Sequence, residues 1–188
     1  MYARASILGL VATMTLGLSA HTAARFTLGT TGAIALNVAG DDARYGVIPP
    51  AVNGPPLVAV SLGATSSRAA LTLYVPGNSV PAKGRYPIRS AWDEKGFQAQ
   101  AFRAGLVAGS PEQPLGWFHG ESGWVTITEA AAGRMSGRFE IRARGFLSAD
   151  PENENRWVTV RGTFEAHGDS TVARVASIGP RSSLLSPR

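Results

Sequence analysis

"SGWVTITEAAAGRMSGRFEIRARG", residues 122–145, alternates apolar and polar side chains through two runs joined by a small, turn-like segment. Successive side chains of a strand point to opposite faces, so the alternation gives each run a buried side and a wet side. A third run, Trp157–His167, continues the pattern. Val125 and Ile127 share one face of the first run, and Met135, Phe139, Ile141 and Ala143 one face of the second. Val158, Val160, Phe164 and Ala166 do so on the third. Short connections favour antiparallel neighbours, so the three runs read as a meander whose inner face is core. The opposite, solvated face carries threonines and the charged row Arg138, Glu140, Arg142, Arg144, Arg161 and Glu165. "SGRFEIRA" and "RGTFEAHG" share Gly-x-Phe-Glu, which fits two neighbouring strands of similar chemistry better than a duplication.

Upstream, period-two stretches recur at 33–39, 57–62, 70–75, 86–90 and 97–105. With 123–128, 135–146 and 157–167 they make the set of expected strands. Turn-rich segments separate them: "GDD", "IPPAVNGPP", "PGNSVPAKG", "DEKG", "GSPEQPLG" and "SADPENEN". Strand and turn in that rhythm predict an all-β fold, an antiparallel β-sandwich or β-barrel of one domain.

The first residues have another character. An arginine at position 4, an apolar run from Ala5 to Leu18 and small residues at Ala20, Ala23 and Ala24 make a secretory signal peptide. The run is shorter than the ~20 residues of a spanning helix, so no stable membrane anchor is expected after cleavage. The organisation expected is a signal peptide over 1–24, a sandwich or barrel domain over 25–169, and a basic, flexible tail over 170–188. Removing Arg4 with the signal leaves 17 basic against 13 acidic residues, and Lys83 and Lys95 are the only lysines. That modest excess suits weak attraction to anionic polymers and says nothing about specificity. With no cysteine there are no disulfides, and the domain must hold by its core alone.

The stretch 122–145 followed by "WVTVRGTFEAHGD" resembles the C-terminal signature of uncharacterised secreted or lipid-anchored bacterial β-domains. There a Gly-then-Val/Leu-x-Ile strand is followed by "SG-x-F" and closed by "V-x-V-x-G-x-F". The likeness covers Ser122–Asp169 and extends to "GRYPI" at Gly84–Ile88. It implies a compact, envelope-exposed β-domain and carries no catalytic residues. Unlike the lipid-anchored members, this chain has no cysteine after its signal.

Few constellations carry chemistry. "GWFHGESGW" places Ser122 near a nucleophile-elbow pattern, but the second glycine comes one place early and a strand follows where a helix should. A loop entering a strand is the simpler reading. His119 with Glu121, and His167 with Asp169, are two histidine–carboxylate pairs; meeting at one end of the sheet, they would supply four ligands for a divalent metal ion. "DPENEN", 150–155, lacks the glycine of a calcium loop and reads as a solvated hairpin connection. Phe102, Phe139, Ile141 and Phe164 would line the cavity of a barrel that carried a small apolar ligand. Trp124 and Trp157 fall by parity opposite their core neighbours, where a ring leaves apolar area uncovered.

Trp157 with Arg142 and Arg161 is therefore the expected contact surface, for an anionic polymer, a saccharide or an envelope protein. Nucleic acid is not expected, since Glu140 and Glu165 interrupt the basic row and the chain carries an export signal. The reading is a periplasmic or extracellular, non-enzymatic binding or structural domain without a cofactor. A hydrolase or metal enzyme using the histidine–acid rim is one alternative, and the apolar ligand carrier another.

Overall fold

The opening stretch forms the second half of one long strand and most of the next, and both continue beyond it. A computed structural model describes residues 23–50, 54–65, 68–90, 100–110, 112–131, 133–170 and 172, and every element of regular structure in them is a strand. In chain order these are β1 (Arg25–Gly32), β2 (Leu36–Gly40), β3 (Ala43–Ile48), β4 (Leu57–Leu62) and β5 (Ala69–Pro76). Then come β6 (Gly84–Pro87), β7 (Arg103–Gly109), β8 (Pro114–Ala131), β9 (Arg134–Leu147) and β10 (Arg156–Gly168).

The strands make a single sheet, almost wholly antiparallel, that returns on itself. β3 pairs with β4, β4 with β5, β5 with β7, β7 with β8, β8 with β9 and β9 with β10. β10 then meets β3 through the parallel pairs His167↔Arg44 and Gly168↔Tyr45. The Asp169 N–H donates to the Tyr45 carbonyl at 2.8 Å and holds that seam. The result is a seven-stranded barrel, which removes most of the open edge a sheet would otherwise present. The hairpin of β1 and β2 lies outside the ring against the same edge of β10, with Arg25 opposite Glu165. β6 takes the second half of β8, beyond the point where β7 stops.

The inner face follows the alternation. In β5 the residues Ala69, Leu71, Leu73 and Val75 are buried, and the side chains between them are half-buried. The inward residues expected on β8, β9 and β10 are all buried in one continuous core. The shared Gly-x-Phe-Glu has a structural meaning in it. Gly137 lies opposite Phe164, and Gly162 lies opposite Phe139. A Cβ on Gly137 would come within 2.7 Å of Phe164 Cζ, and one on Gly162 within 2.6 Å of Phe139 Cζ. Each copy of the motif thus supplies the ring that fills the space left by the other copy's glycine.

Several expectations change. β1 and β3 were not among the expected strands, because their inward positions include Thr30 and Ala43, which dilute the apolar signal. Buried Thr30 is satisfied locally: its hydroxyl donates to the Ile34 carbonyl at 2.8 Å and accepts from the Leu36 N–H at 3.0 Å. The strand expected over 33–39 begins at Leu36, and the described part of the one expected over 97–105 enters β7, which starts at Arg103 and runs on to Gly109. "GWFHGES", read as a loop entering a strand, is itself strand, since β8 already starts at Pro114. Residues 1–22, 97–99 and 173–188 lie outside the described residues, so the start of the strand expected over 97–105, nearly all of the tail, and the signal peptide except Ala23 and Ala24 fall there.

Candidate binding face

Register on the barrel's outer surface decides which polar side chains become neighbours. Across β8, β9 and β10, Ser122 faces Arg142, which faces Thr159; Trp124 faces Glu140, which faces Arg161; and Thr126 faces Arg138, which faces Thr163. Trp157 lies opposite Arg144. β6 adds Arg85 opposite Thr126. Trp124 and Trp157 are both half-buried on this face, whereas Arg85, Arg138, Arg142, Arg144 and Arg161 are exposed.

Each tryptophan carries guanidinium groups. Arg142 Cζ stands 4.3 Å from the centroid of the Trp157 ring, with Arg144 at 6.0 Å. Arg85 stands 4.7 Å from the Trp124 ring and Arg138 5.8 Å. Such contacts at exposed sites contribute about 0.5–1 kcal/mol each. The Trp157 indole N–H donates to Asn155 Oδ1 at 3.2 Å, so the connection after β9 anchors the ring. In "DPENEN", Asp150 pairs with Arg156 at 2.7 Å and Asn153 Oδ1 accepts the Asn155 N–H at 3.2 Å.

The charges on the face are unequally satisfied. Arg161 donates to Glu140 at 2.9 Å, and Arg144 lies 3.5 Å from Glu121. Arg85, Arg138 and Arg142 make no salt bridge among the described residues. The hydrogen bond from Arg161 holds the Glu140 carboxyl below its usual range, with smaller help from the charge of Arg161 and of Arg85. Around the two tryptophans, Arg85, Arg138, Arg142, Arg144 and Arg161 stand with Glu121 and Glu140, both already paired. Further along the same strands Glu129 and Glu165 pair with Arg134, and Glu165 also with Arg25.

Of the three residues expected to form the contact surface, the structure brings Trp157 and Arg142 together and sets Arg161 apart. Arg161 is four residues further along β10 and belongs to Glu140. Arg144 is the second arginine beside Trp157. The Trp124 group was missed because Arg85 reaches it only through the pairing of β6 with β8. The outward parity of "GRYPI" was the available signal.

The two histidine–acid pairs do not meet. His119 lies opposite Arg144 and His167 opposite Arg134, ten residues apart on β9, or roughly 30 Å at the rise of a strand. His119 is also well inside the 18-residue β8, not at a strand end. Glu121 is tied to Arg144, and Asp169 lies 3.1 Å from Arg44. No cluster of three or more metal-ligating side chains occurs among the described residues. Ser122 sits just past a bulge between Gly120 and Ser122, within continuous strand, so the strand-to-helix turn of a nucleophile elbow is absent there. Phe102, Phe139, Ile141 and Phe164 are between 0% and 2% exposed. A ligand-sized void would leave their surfaces accessible, so these side chains pack as core and lend no support to a carrier.

A cleft of about 350 Å³ opens beside Phe26, Val38 and Asp42. Two carboxylates line it, Asp41 and Asp42, and Asp42 is committed: its Oδ2 accepts from the Thr65 N–H at 2.9 Å and hydroxyl at 2.8 Å, and its Oδ1 pairs with Arg44 at 2.9 Å.

No protein-family model matches the chain, no curated protein matches it, and no solved structure matches it. Function is therefore read from the chemistry of the outer face.

Proposed function

We propose that the protein is an exported, non-enzymatic binding module that holds an anionic polymer on the outer face of β8, β9 and β10. The carrying observation is Arg142, stacked 4.3 Å above Trp157 without a carboxylate partner among the described residues. A guanidinium held over a ring by cation–π attraction spends no N–H donor on a carboxylate, so donors remain for a sulfate, phosphate or carboxylate. The ring also restricts a rotamer-rich side chain before any ligand arrives, which lowers the entropic cost of binding. Export is supported by the apolar run Ala5–Leu18 and the small residues that follow it.

Dextran sulfate should bind and quench tryptophan fluorescence, weakening as salt rises, while uncharged dextran should do neither. Arg142→Ala should reduce dextran sulfate affinity about tenfold or more, the loss of one charge-assisted contact, with the thermal melt nearly unchanged. Equal binding of both dextrans, or an unaffected Arg142→Ala variant, would refute the reading.

Glu140 supplies a pH prediction. Its carboxyl is depressed in the folded protein, so the Arg161 pair forms fully above the ordinary carboxylate range and is lost as pH falls through the lowered value. Protonation removes a negative charge and releases Arg161. Dextran sulfate affinity should therefore rise on acidification through that window, and Glu140→Gln should bind several-fold tighter at pH 7 with a flatter pH profile. Weaker binding by Glu140→Gln would place the anion elsewhere.

A further inference from the structure

Two arginine–tryptophan platforms stand on one face, and their placement bears on the ligand. Trp124 is on β8 and Trp157 on β10, separated by two strand spacings and four residues of rise, or about 16 Å. The diagonal joining them crosses β9 at Arg142, which faces Ser122 on one side and Thr159 on the other. Arg85 and Arg138 attend its first end, and Arg144 its last. The paired carboxylates lie beside this line: Glu140 is held by Arg161, and Glu121 by Arg144.

We infer that the two platforms act together on one linear, repeatedly charged polysaccharide lying obliquely across β8, β9 and β10. The inference rests on the anion-binding reading above and adds the second platform and the class of ligand. A single small anion would use one guanidinium fork and leave the other platform idle. A chain with regularly spaced charges meets Arg85 and Arg138, then Arg142, then Arg144. Hydroxyl side chains alternate with these arginines, Ser122, Thr126 and Thr159 among them, and suit the hydroxyls of sugar rings. A stacked base would need an open ring face, yet both rings here already carry guanidinium groups. A membrane surface would need apolar area to insert, and the exposed large apolar side chains among the described residues, Val47 and Leu115, both lie off the path between the platforms.

The test uses the folded chain and heparin-derived oligosaccharides from disaccharide to dodecasaccharide, titrated calorimetrically. Joining two contacts through one ligand makes the second contact intramolecular, so affinity should step up at least tenfold at the length that first spans both platforms. Arg85→Ala with Arg138→Ala should abolish the step while the shortest oligosaccharides still bind at the remaining Arg142–Trp157 platform, with about the twofold loss of removing one of two sites, and should lower the melting temperature by only a few degrees for the two lost ring contacts. A smooth rise in affinity with length, or a double variant weakened equally at every length, overturns the two-platform inference while leaving an anion-binding face standing. No binding at any length overturns both.

Discussion

Phe139→Ala and Phe164→Ala are each expected to lower the free energy of unfolding by about 3–5 kcal/mol. Both rings are 2% exposed and lie in the core formed where β9 and β10 pair. Truncation removes the ring's transfer free energy and leaves a cavity. On the β9–β10 side the residue facing each ring is a glycine with no side chain to move in, so filling the void would fall to Val125 for Phe139 and to Phe26 for Phe164, on the other neighbouring strands. Arg142→Ala is the contrasting variant. Its side chain is exposed and its ring contact contributes about 0.5–1 kcal/mol, so the urea midpoint should barely move. A loss at Arg142→Ala as large as at the phenylalanines would mean that inner and outer faces are exchanged.

Gly162→Ala and Gly137→Ala are the second pair, with an expected cost of about 1–3 kcal/mol each despite the better strand propensity of alanine. The added methyl at Gly162 would fall against the Thr27 carbonyl as well as Phe139, and at Gly137 within 2.6 Å of the Thr126 carbonyl as well as against Phe164. Those oxygens belong to paired strands and cannot swing away. Combining each glycine change with truncation of its facing ring should be less destabilising than the sum of the two, by about 0.5–3 kcal/mol, since the ring obstructs the methyl. The carbonyl clash persists, so the combination should not recover wild-type stability. Additive effects in both combinations would show that the facing pairs are not packed on one another.

On the outer face, Trp124, Arg138, Arg142, Arg144 and Trp157 were legible as outward residues from strand parity alone, and they are outward in the structure. Their partners were not. Strand parity places Arg142 and Arg161 on the same side as Trp157, yet Arg142 stacks on the ring and Arg161 turns to Glu140. The difference is register, since Trp157 stands opposite Arg144 and Arg161 opposite Glu140. Likewise the two histidine–acid pairs looked alike as motifs and are carried to opposite ends of β9.

The period-two alternation of 122–145 and 157–167 by itself determined that these segments are strands, which side of each is buried, and that they run as an antiparallel meander. Those properties are local: they follow from the two-residue repeat of a strand and from connections too short for any other path. The tertiary structure alone decided that the sheet closes, that β6 lies on the second half of β8, and that two tryptophans acquire arginine partners. Closure depends on two residue pairs between β10 and β3, strands whose paired residues are more than a hundred positions apart in the chain. Arg85 reaches Trp124 only across the β6–β8 ladder. Contacts between residues so distant in the chain are set by which strand edges remain unpaired after local hairpins form, and that competition leaves no periodic mark in the sequence.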